Sequence, residues 1–439
     1  MHKTLRKSAL VLALLAALGG CDKNASLTSA QQSGSNPALP AAQRFLKPPM
    51  QVPEKADWQP GQTPKVAAGL QIERIAGGLQ HPRQLFVLPN GDILVMEANS
   101  PDSDPVTTPK QLIANLVTAR SGKSAPGGNR ITLLRKQPGA NGEWEKHVFI
   151  ASLNSPFGVQ LIGDSLYVAD TDRILKFPYV TGETQITAPG VEFADLPNAI
   201  NHHWTKPLLA SPDGKKLFVG IGSNSNITEN GLAVEYRRAD VLEIDVATGG
   251  SRIYASGLRN PTGLQWEPQT GKLWAIANER DEIGADLVPD YLTSVQEGAF
   301  YGWPYSYYGQ HVDTRVMPQR PDLVARAVKP DYAIGSHVAP LGLLITASNA
   351  LPAAYHYGAF ISEHGSWDRS PLSGYEVMFV AFQQGRPVGL PQPVITGFYS
   401  SDEKHLYGAP VGVVLDNDGA LVVADDVGDS VWRVTASAR

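Results

Sequence analysis

The sequence predicts an all-β fold, a six-bladed β-propeller with four-stranded blades, and three observations predict it. One hairpin design recurs six times within residues 67–439, its copies carry tight-turn residues at one place, and apolar runs of strand length follow most copies. The copies start at His81, Ser155, Trp204, Asn260, Ala339 and Ala409. In each, a polar or Pro-containing entry leads into an apolar strand, a turn intervenes, and a second strand leaves. The fifth, from Ala339 through Glu363, has a longer turn. Asn90-Gly91, Gly163-Asp164, Asp213-Gly214 and Asp418-Gly419 mark turns, because these residue types tolerate the positive φ that a tight hairpin needs. An isolated hairpin is marginal in water. The runs Arg130–Arg135, Ile174–Phe177, Asp240–Ile244 and Ser430–Val434 supply further strands that complete blades. A two-sheet sandwich also uses hairpins, but six copies of one design separated by long insertions fit radial repetition better. Lys110 to Arg120 reads as a short helix inserted into the first blade.

Three segments divide the 439 residues. Residues 1–21 carry His2, Lys3, Arg6 and Lys7, an apolar stretch from Ala9 to Leu18, and the ending Leu18-Gly-Gly-Cys21. This is a signal peptide, too short to span a bilayer, and its ending looks like a lipobox that leaves Cys21 as an acylated first residue. An ordinary secretory peptide with a free thiol is the plainer alternative. Cys21 is the only cysteine, so an intrachain disulfide is excluded. Residues 22–66, rich in Ser, Gln, Ala and Pro without apolar periodicity, read as a disordered linker. Residues 67–439 form the propeller. The expected location is the periplasm, as a membrane-anchored lipoprotein of a bacterial cell envelope. A net charge of -5, 18% charged residues and no basic run exclude nucleic acid as a partner.

The repeat also predicts where chemistry gathers. The first strand of a blade lies nearest the axis, so its start and the end of the antiparallel second strand share one rim. That rim collects His81, Asn154, His203, Arg259 and His337 before the entries. After the exits it collects Glu97 to Asn99, Asp170 to Asp172, Ser223 to Asn226, Asn278 to Glu282, Glu363 to Arg369, and Asp425 with Asp426. His203 is a candidate general base, with His202 nearly as eligible, and a hydrogen-bonded structural histidine is the bland alternative. Arg259 and Asn260 suit a carboxylate or quinone oxygen, or else form a rim salt bridge. Glu279, Asp281, Glu282 and Asp286 could hold a hard cation such as Ca²⁺, or could simply be solvated. Trp204 and Trp367 either offer a sugar platform or pack.

These residues carry a family likeness. In order along the chain stand His203-Trp-Thr-Lys with Ser211-Pro-Asp-Gly214, Gly257-Leu-Arg-Asn-Pro-Thr-Gly263, and Asn278-Glu-Arg-Asp281 with Asp286-Leu-Val-Pro-Asp290. Phe300-Tyr-Gly-Trp-Pro-Tyr305 and Glu363-His-Gly-Ser-Trp-Asp-Arg369 follow. From about residue 70 onward the chain resembles the glucose and sorbosone dehydrogenases, quinoproteins that use pyrroloquinoline quinone (PQQ), and looks closest to the sorbosone branch. The resemblance implies PQQ across the axial pocket, hydride transfer to it from a sugar or sugar aldehyde, and Ca²⁺ polarising the quinone carbonyl. His203 matches the family's catalytic histidine. Arg259 and Asn260 match the pair beside the quinone oxygens, and Asn154 is a weaker match to a carboxamide there. His364 falls where some relatives place a cofactor-binding lysine. Asn278, Glu279 and Arg280 match the loop that offers backbone carbonyls to the calcium, and Asp286 is the further acidic candidate. Relatives often carry Arg where Ala409 stands here, and Lys404, His405 or Arg369 are candidates to replace it. The implied partners are a small sugar and an electron acceptor, a quinone or a cytochrome. Rival readings are a Ca²⁺-dependent lactonase or esterase propeller and a non-catalytic propeller that binds a glycan or protein.

Overall fold

A computed structural model describes residues 24–43, 50–101, 119–139, 143–199 and 202–437. Cys21, the rest of the expected signal peptide, and residues 110–118 of the expected helix lie outside the described residues. Within them the six-bladed propeller with four-stranded blades is present.

Each hairpin copy forms the two inner strands of a blade. Blade 1 runs outward through Pro82–Val87, Ile93–Glu97, Arg130–Lys136 and Trp144–Ile150. Blade 2 comprises Gly158–Ile162, Ser165–Ala169, Arg173–Pro178 and Val191–Asp195. Blade 3 comprises Leu208–Ala210, Lys216–Ile221, Asp240–Asp245 and Ser251–Ser256. Asn260–Trp266, Leu273–Asn278, Pro289–Ser294 and Tyr332–Ser336 make blade 4. Pro340–Thr346, Gly358–Glu363, Glu376–Gln383 and Gln392–Thr396 make blade 5. Blade 6 takes Pro410–Leu415, Leu421–Asp425 and Ser430–Ala436 from the end of the chain and its outer strand, Leu70–Gly77, from the beginning. That pairing closes the ring. At the hairpin turns Gly214 and Gly419 have φ of 69° and 77°, which a β-carbon would oppose.

Alternation along the strands explains the packing. In blade 1, Leu94 and Met96 point to a cluster shared with Val159, Leu166 and Val168 of blade 2. Their neighbours Ile93 and Val95 point the other way, to Val422, Ala424 and Val431 of blade 6. The same period of two builds the remaining blade-to-blade clusters. Burial of each such side chain contributes roughly 1.5–3 kcal/mol.

One expectation is corrected. Parts of the stretch read as a disordered linker are folded onto the propeller. Ser33–Gly34 pairs with Ile334 and Ala333 at the edge of blade 4, and Lys65–Val66 pairs with Thr396 and Ile395 at the edge of blade 5. The buried Trp58 donates its indole N–H to Asp425 at 2.9 Å. The Ser26 and Gln32 side chains donate to Asp286 of the body instead of to water, which composition alone does not reveal. Among the described residues no helix is long and apolar enough to cross a membrane.

Candidate active site

Strand register places the predicted residues on one rim. Pro82 pairs with Glu97, Asn260 with Asn278, Pro340 with Glu363 and Pro410 with Asp425, so each first-strand start faces a second-strand end. Contacts then run round the whole mouth. Ser155 Oγ donates to Asn99 O (2.7 Å), Thr171 Oγ1 to Trp204 O (3.1 Å) and Arg259 Nη2 to Asn226 Oδ1 (2.9 Å). Thr262 Oγ1 donates to Pro340 O (2.6 Å), His364 Nε2 stands 2.9 Å from Asp426, and Arg83 Nη1 stands 3.1 Å from the same carboxylate. Below this circuit Ala98, Phe157, Trp204, Leu341 and Val411 form an apolar plug on the axis, so Trp204 packs. His81, Ser155, His337 and Ala339 hold φ between 50° and 59°, a strained conformation for non-glycine residues that clusters at functional rims.

His203 is built to be a base. Its Nδ1 lies 2.9 Å from Ser223 O and 3.0 Å from Ser223 Oγ. The Ser223 hydroxyl already donates to Ser225 O, so both neighbours of Nδ1 act as acceptors. Nδ1 therefore carries the proton, and Nε2 is left with its lone pair. Burial, and then the Arg259 charge, push the imidazole well below its usual range, which keeps it neutral. His202 lies ring to ring with it at 4.7 Å and is exposed. Gly222 makes room, because a β-carbon there would overlap both His203 Cβ and Asn260 Oδ1. That Asn260 oxygen is buried without a hydrogen bond.

Arg259 is buried and its five N–H groups are all engaged. Nε donates to Asn226 O, Nη1 to Glu279 O (2.6 Å) and Asn278 O (3.5 Å), and Nη2 to Asn226 Oδ1 and Asp281 Oδ2 (3.3 Å). It offers the mouth its charge, while its donors organise the loop after blade 4's second strand.

In the expected metal loop the resemblance assigns backbone carbonyls to the calcium, and the side chains are engaged within the protein. Arg280 is fully buried, with its guanidinium on Pro304 O, Ser306 O and Asp313, so it braces an outer loop. Asn278 Nδ2 is held by Pro340 O, and Glu279 turns one carboxylate oxygen back onto Arg280. Asp286 accepts from Ser26 N, Ser26 Oγ, Leu27 N, Gln32 Nε2 and Arg369, so the N-terminal segment and Arg369 occupy it. Arg369 spends Nη2 on this contact, while its Nε is buried without a hydrogen bond. Lys404 and His405 are exposed, and Lys404 pairs with Asp402, which leaves neither beside Ala409. Asn154 is exposed, its backbone N–H bonded to Asp170. Glu279 Oε1 is buried without a hydrogen bond, and the Glu279 carbonyl, which accepts from Arg259, keeps a second lone pair.

The residue that meets the missing arginine was not singled out. Arg83 follows the entry proline of the first copy, where the other copies place Phe157, Leu208, Thr262, Leu341 and Val411. A charge at that axial position was the available signal. Its Nη2 donates to Asn99 (3.0 Å), its ring partner is Trp204 at 5.4 Å, and its Nε is buried and unpartnered. Asp426, which holds Nη1, donates its backbone N–H to Ala409 O, so this guanidinium stands beside the position of the absent one. Lys123, from the segment between blade 1's second and third strands, donates to His364 O (3.0 Å), Gly365 O (3.0 Å) and Tyr375 Oη (3.1 Å). Burial lowers its pKa to about 7 against the pull of Asp426. Burial alone would raise the Asp426 carboxyl, but His364 and Arg83 hold it well below the usual range, and the same burial takes His364 down to about 4. A groove of about 400 Å³ is lined by Tyr236, Phe300, Trp303 and Tyr305, and of these Trp303 donates its Nε1–H to Asn226 O.

The comparisons agree with the resemblance. The sequence profile of the Glucose / Sorbosone dehydrogenase family matches residues 168–363, and that of a TrAA12-like family matches residues 319–437. An uncharacterized protein of Borreliella burgdorferi is 27% identical over 294 residues, spanning 64% of this chain and 76% of its own. The calcium structure of the Trichoderma reesei Carbohydrate-Active Enzymes Family AA12 protein has a TM-score of 0.69 at 20% identity, covering 89% of this chain and 99% of that one. The holo PQQ domain of Pyranose Dehydrogenase from Coprinopsis cinerea has a TM-score of 0.68 at 19% identity, covering 87% and 98%. The PQQ-bound Aldose Sugar Dehydrogenase of Streptomyces coelicolor gives 0.53 at 15%, covering 85% and 100%. At these identities the solved structures speak for the fold.

Proposed function

We propose, from the resemblance to the glucose and sorbosone dehydrogenases, that this chain oxidises a sugar or sugar aldehyde with PQQ held in the axial mouth. The observation that carries the reading is the neutral His203, with Nδ1–H fixed on Ser223 and Nε2 free to accept a proton. PQQ, when bound, supplies an acceptor for the hydride that leaves the substrate carbon. A tricarboxylate quinone fits the mouth chemically, because the buried Nε of Arg83 lacks a partner and Lys123 adds a second cation on the same side.

The chain's own residues then divide the work. His203 Nε2 takes the proton of the substrate hydroxyl, and Ser223 O stabilises the imidazolium that forms by holding its other N–H. Burial, and then Arg259, keep the resting imidazole neutral, and the Arg259 charge favours negative charge developing on an acceptor oxygen nearby. Arg83 and Lys123 would hold the carboxylates of the quinone and so set its orientation. The apolar plug seals the far side against water. No step is assigned to calcium on the side chains of Asn278, Glu279, Arg280 or Asp286. We place the protein at the periplasmic face of a membrane, anchored through Cys21.

The test is reconstitution. Purified protein given PQQ and Ca²⁺ should pass electrons from an aldose to an artificial dye, with the sugar lactone as product. Lactone hydrolysis without quinone binding would replace this reading with the hydrolase.

A further inference from the structure

We propose that Asp281, His337 and Asp368 form a binding site for one divalent cation of the Zn²⁺ class, separate from the calcium that the resemblance implies. The three come from different parts of the rim: Asp281 follows the second strand of blade 4, His337 its fourth strand, and Asp368 the second strand of blade 5. One ligand atom from each lies within 4.8 Å of the others. His337 Nδ1 stands 3.4 Å from Asp281 Oδ1 and 3.4 Å from Asp368 Oδ1.

Those spacings suit an ion better than a hydrogen bond. A charge-assisted N–H···O contact closes to about 2.7–2.9 Å. The edge of a tetrahedron with metal–ligand bonds of about 2.0–2.1 Å is about 3.3–3.4 Å. A second observation is independent of the cluster's acidity. Asp368 is buried, its side chain only 2% exposed, and its Oδ1, the atom aimed at Nδ1, has no hydrogen-bond partner.

The outer contacts are those a metal-binding histidine uses. His337 Nε2 donates to Gly284 O at 2.9 Å, which turns Nδ1 inward and fixes the tautomer a ligand needs. Asp281 divides its oxygens, Oδ1 toward Nδ1 and Oδ2 toward Arg259 Nη2. Asp281 is also the partly exposed member, so a fourth position can open to the mouth and take water. One imidazole nitrogen with two carboxylates is a borderline donor set, whereas Ca²⁺ takes 6–8 oxygens. The ion enters as Nδ1 gives its proton to solvent, so two positive charges replace one between two carboxylates. The proposal does not depend on the redox reading.

The experiment uses the full chain stripped of metal by a chelator. Co²⁺, titrated as a visible probe, should bind once per chain with the intense d–d bands of a four- or five-coordinate site, and one equivalent of Zn²⁺ should erase them. His337→Gln and Asp368→Asn should each weaken Co²⁺ binding by more than the roughly 10–100-fold that follows loss of an outer-shell partner. His203→Ala should leave it unchanged. X-ray absorption at the zinc edge of the unmodified protein, which needs no variant to fold, should show a nitrogen and oxygen shell with imidazole scattering. The proposal is overturned by an absence of saturable Co²⁺ binding, by unchanged binding in His337→Gln, by a zinc spectrum lacking imidazole, or by Ca²⁺ displacing Co²⁺ as readily as Zn²⁺ does.

Discussion

The two halves of the mouth are built on opposite principles. On the side of blades 3 to 5, Arg259 is a cation whose every donor is spoken for, by Asn226, Asn278, Glu279 and Asp281, and Asp281 leads on to His337 and Asp368. On the side of blades 6 and 1, Arg83 and Lys123 flank a single carboxylate, Asp426, and Arg83 keeps a buried N–H without a partner. The first half is a place to accept a proton or a metal, and the second is a place to grip an anion. The same guanidinium group thus serves as scaffold in one half and as receptor in the other. What differs is whether the surrounding carbonyls already consume its donors.

The sharpest break of that comparison is His203→Ala, which should lower dye-reduction kcat by about 10²–10⁴-fold while PQQ binding by calorimetry barely changes, since only the proton-accepting half is touched. Equal loss of both would merge the halves. Gly222→Ala comes next. Its new β-carbon pushes on His203 and Asn260 together, and a misplacement of about 1 Å predicts a loss near 10²-fold in kcat with the far-UV circular dichroism preserved. In the other half, Arg83→Lys keeps the charge but loses the fork. PQQ affinity should fall by about 10- to 150-fold, as expected for removing one charged hydrogen bond worth about 1.5–3 kcal/mol, with the acid limb of the rate profile unmoved.

The pH dependence separates the halves again, with smaller effects. Because burial and Arg259 lower the folded pKa of His203, the unfolded chain binds the extra proton. Stability from this group is therefore complete above the unfolded value near 6.5 and falls as pH drops below it. The acid limb of kcat/KM should likewise lie below 6.5, and a limb above it would deny His203 the role of neutral base. Lys123, at about 7, is half-protonated at neutral pH, so an anion docking beside it should draw in about half a proton. Calorimetry in buffers of different ionisation enthalpy reads that uptake, and Lys123→Met should abolish it.

Much of this arrangement was legible beforehand. The repeat predicted the third strand of four blades to within two residues and put His203, Arg259 and Asn260 on one rim. It missed Arg83, although the residue sits at a position that other copies fill with apolar side chains or Thr. It read residues 22–66 as a linker because polar residues that cap a folded body and polar residues in water have the same composition. It also nominated Asp286 for a metal, when Ser26, Leu27, Gln32 and Arg369 already occupy that carboxylate.

The sequence by itself determined the number of blades and the rim on which polar side chains emerge, because both follow from a period of two and from turn residues local in the chain. Only the tertiary structure decided which polar groups are spent and which are free. That depends on partners such as Ser26 on Asp286, Glu279 O on Arg259 and Asp426 on Arg83, brought within 3.3 Å from positions 20 to 343 residues apart. Whether a buried donor is satisfied is a question of distance in space, and no spacing along the chain encodes it.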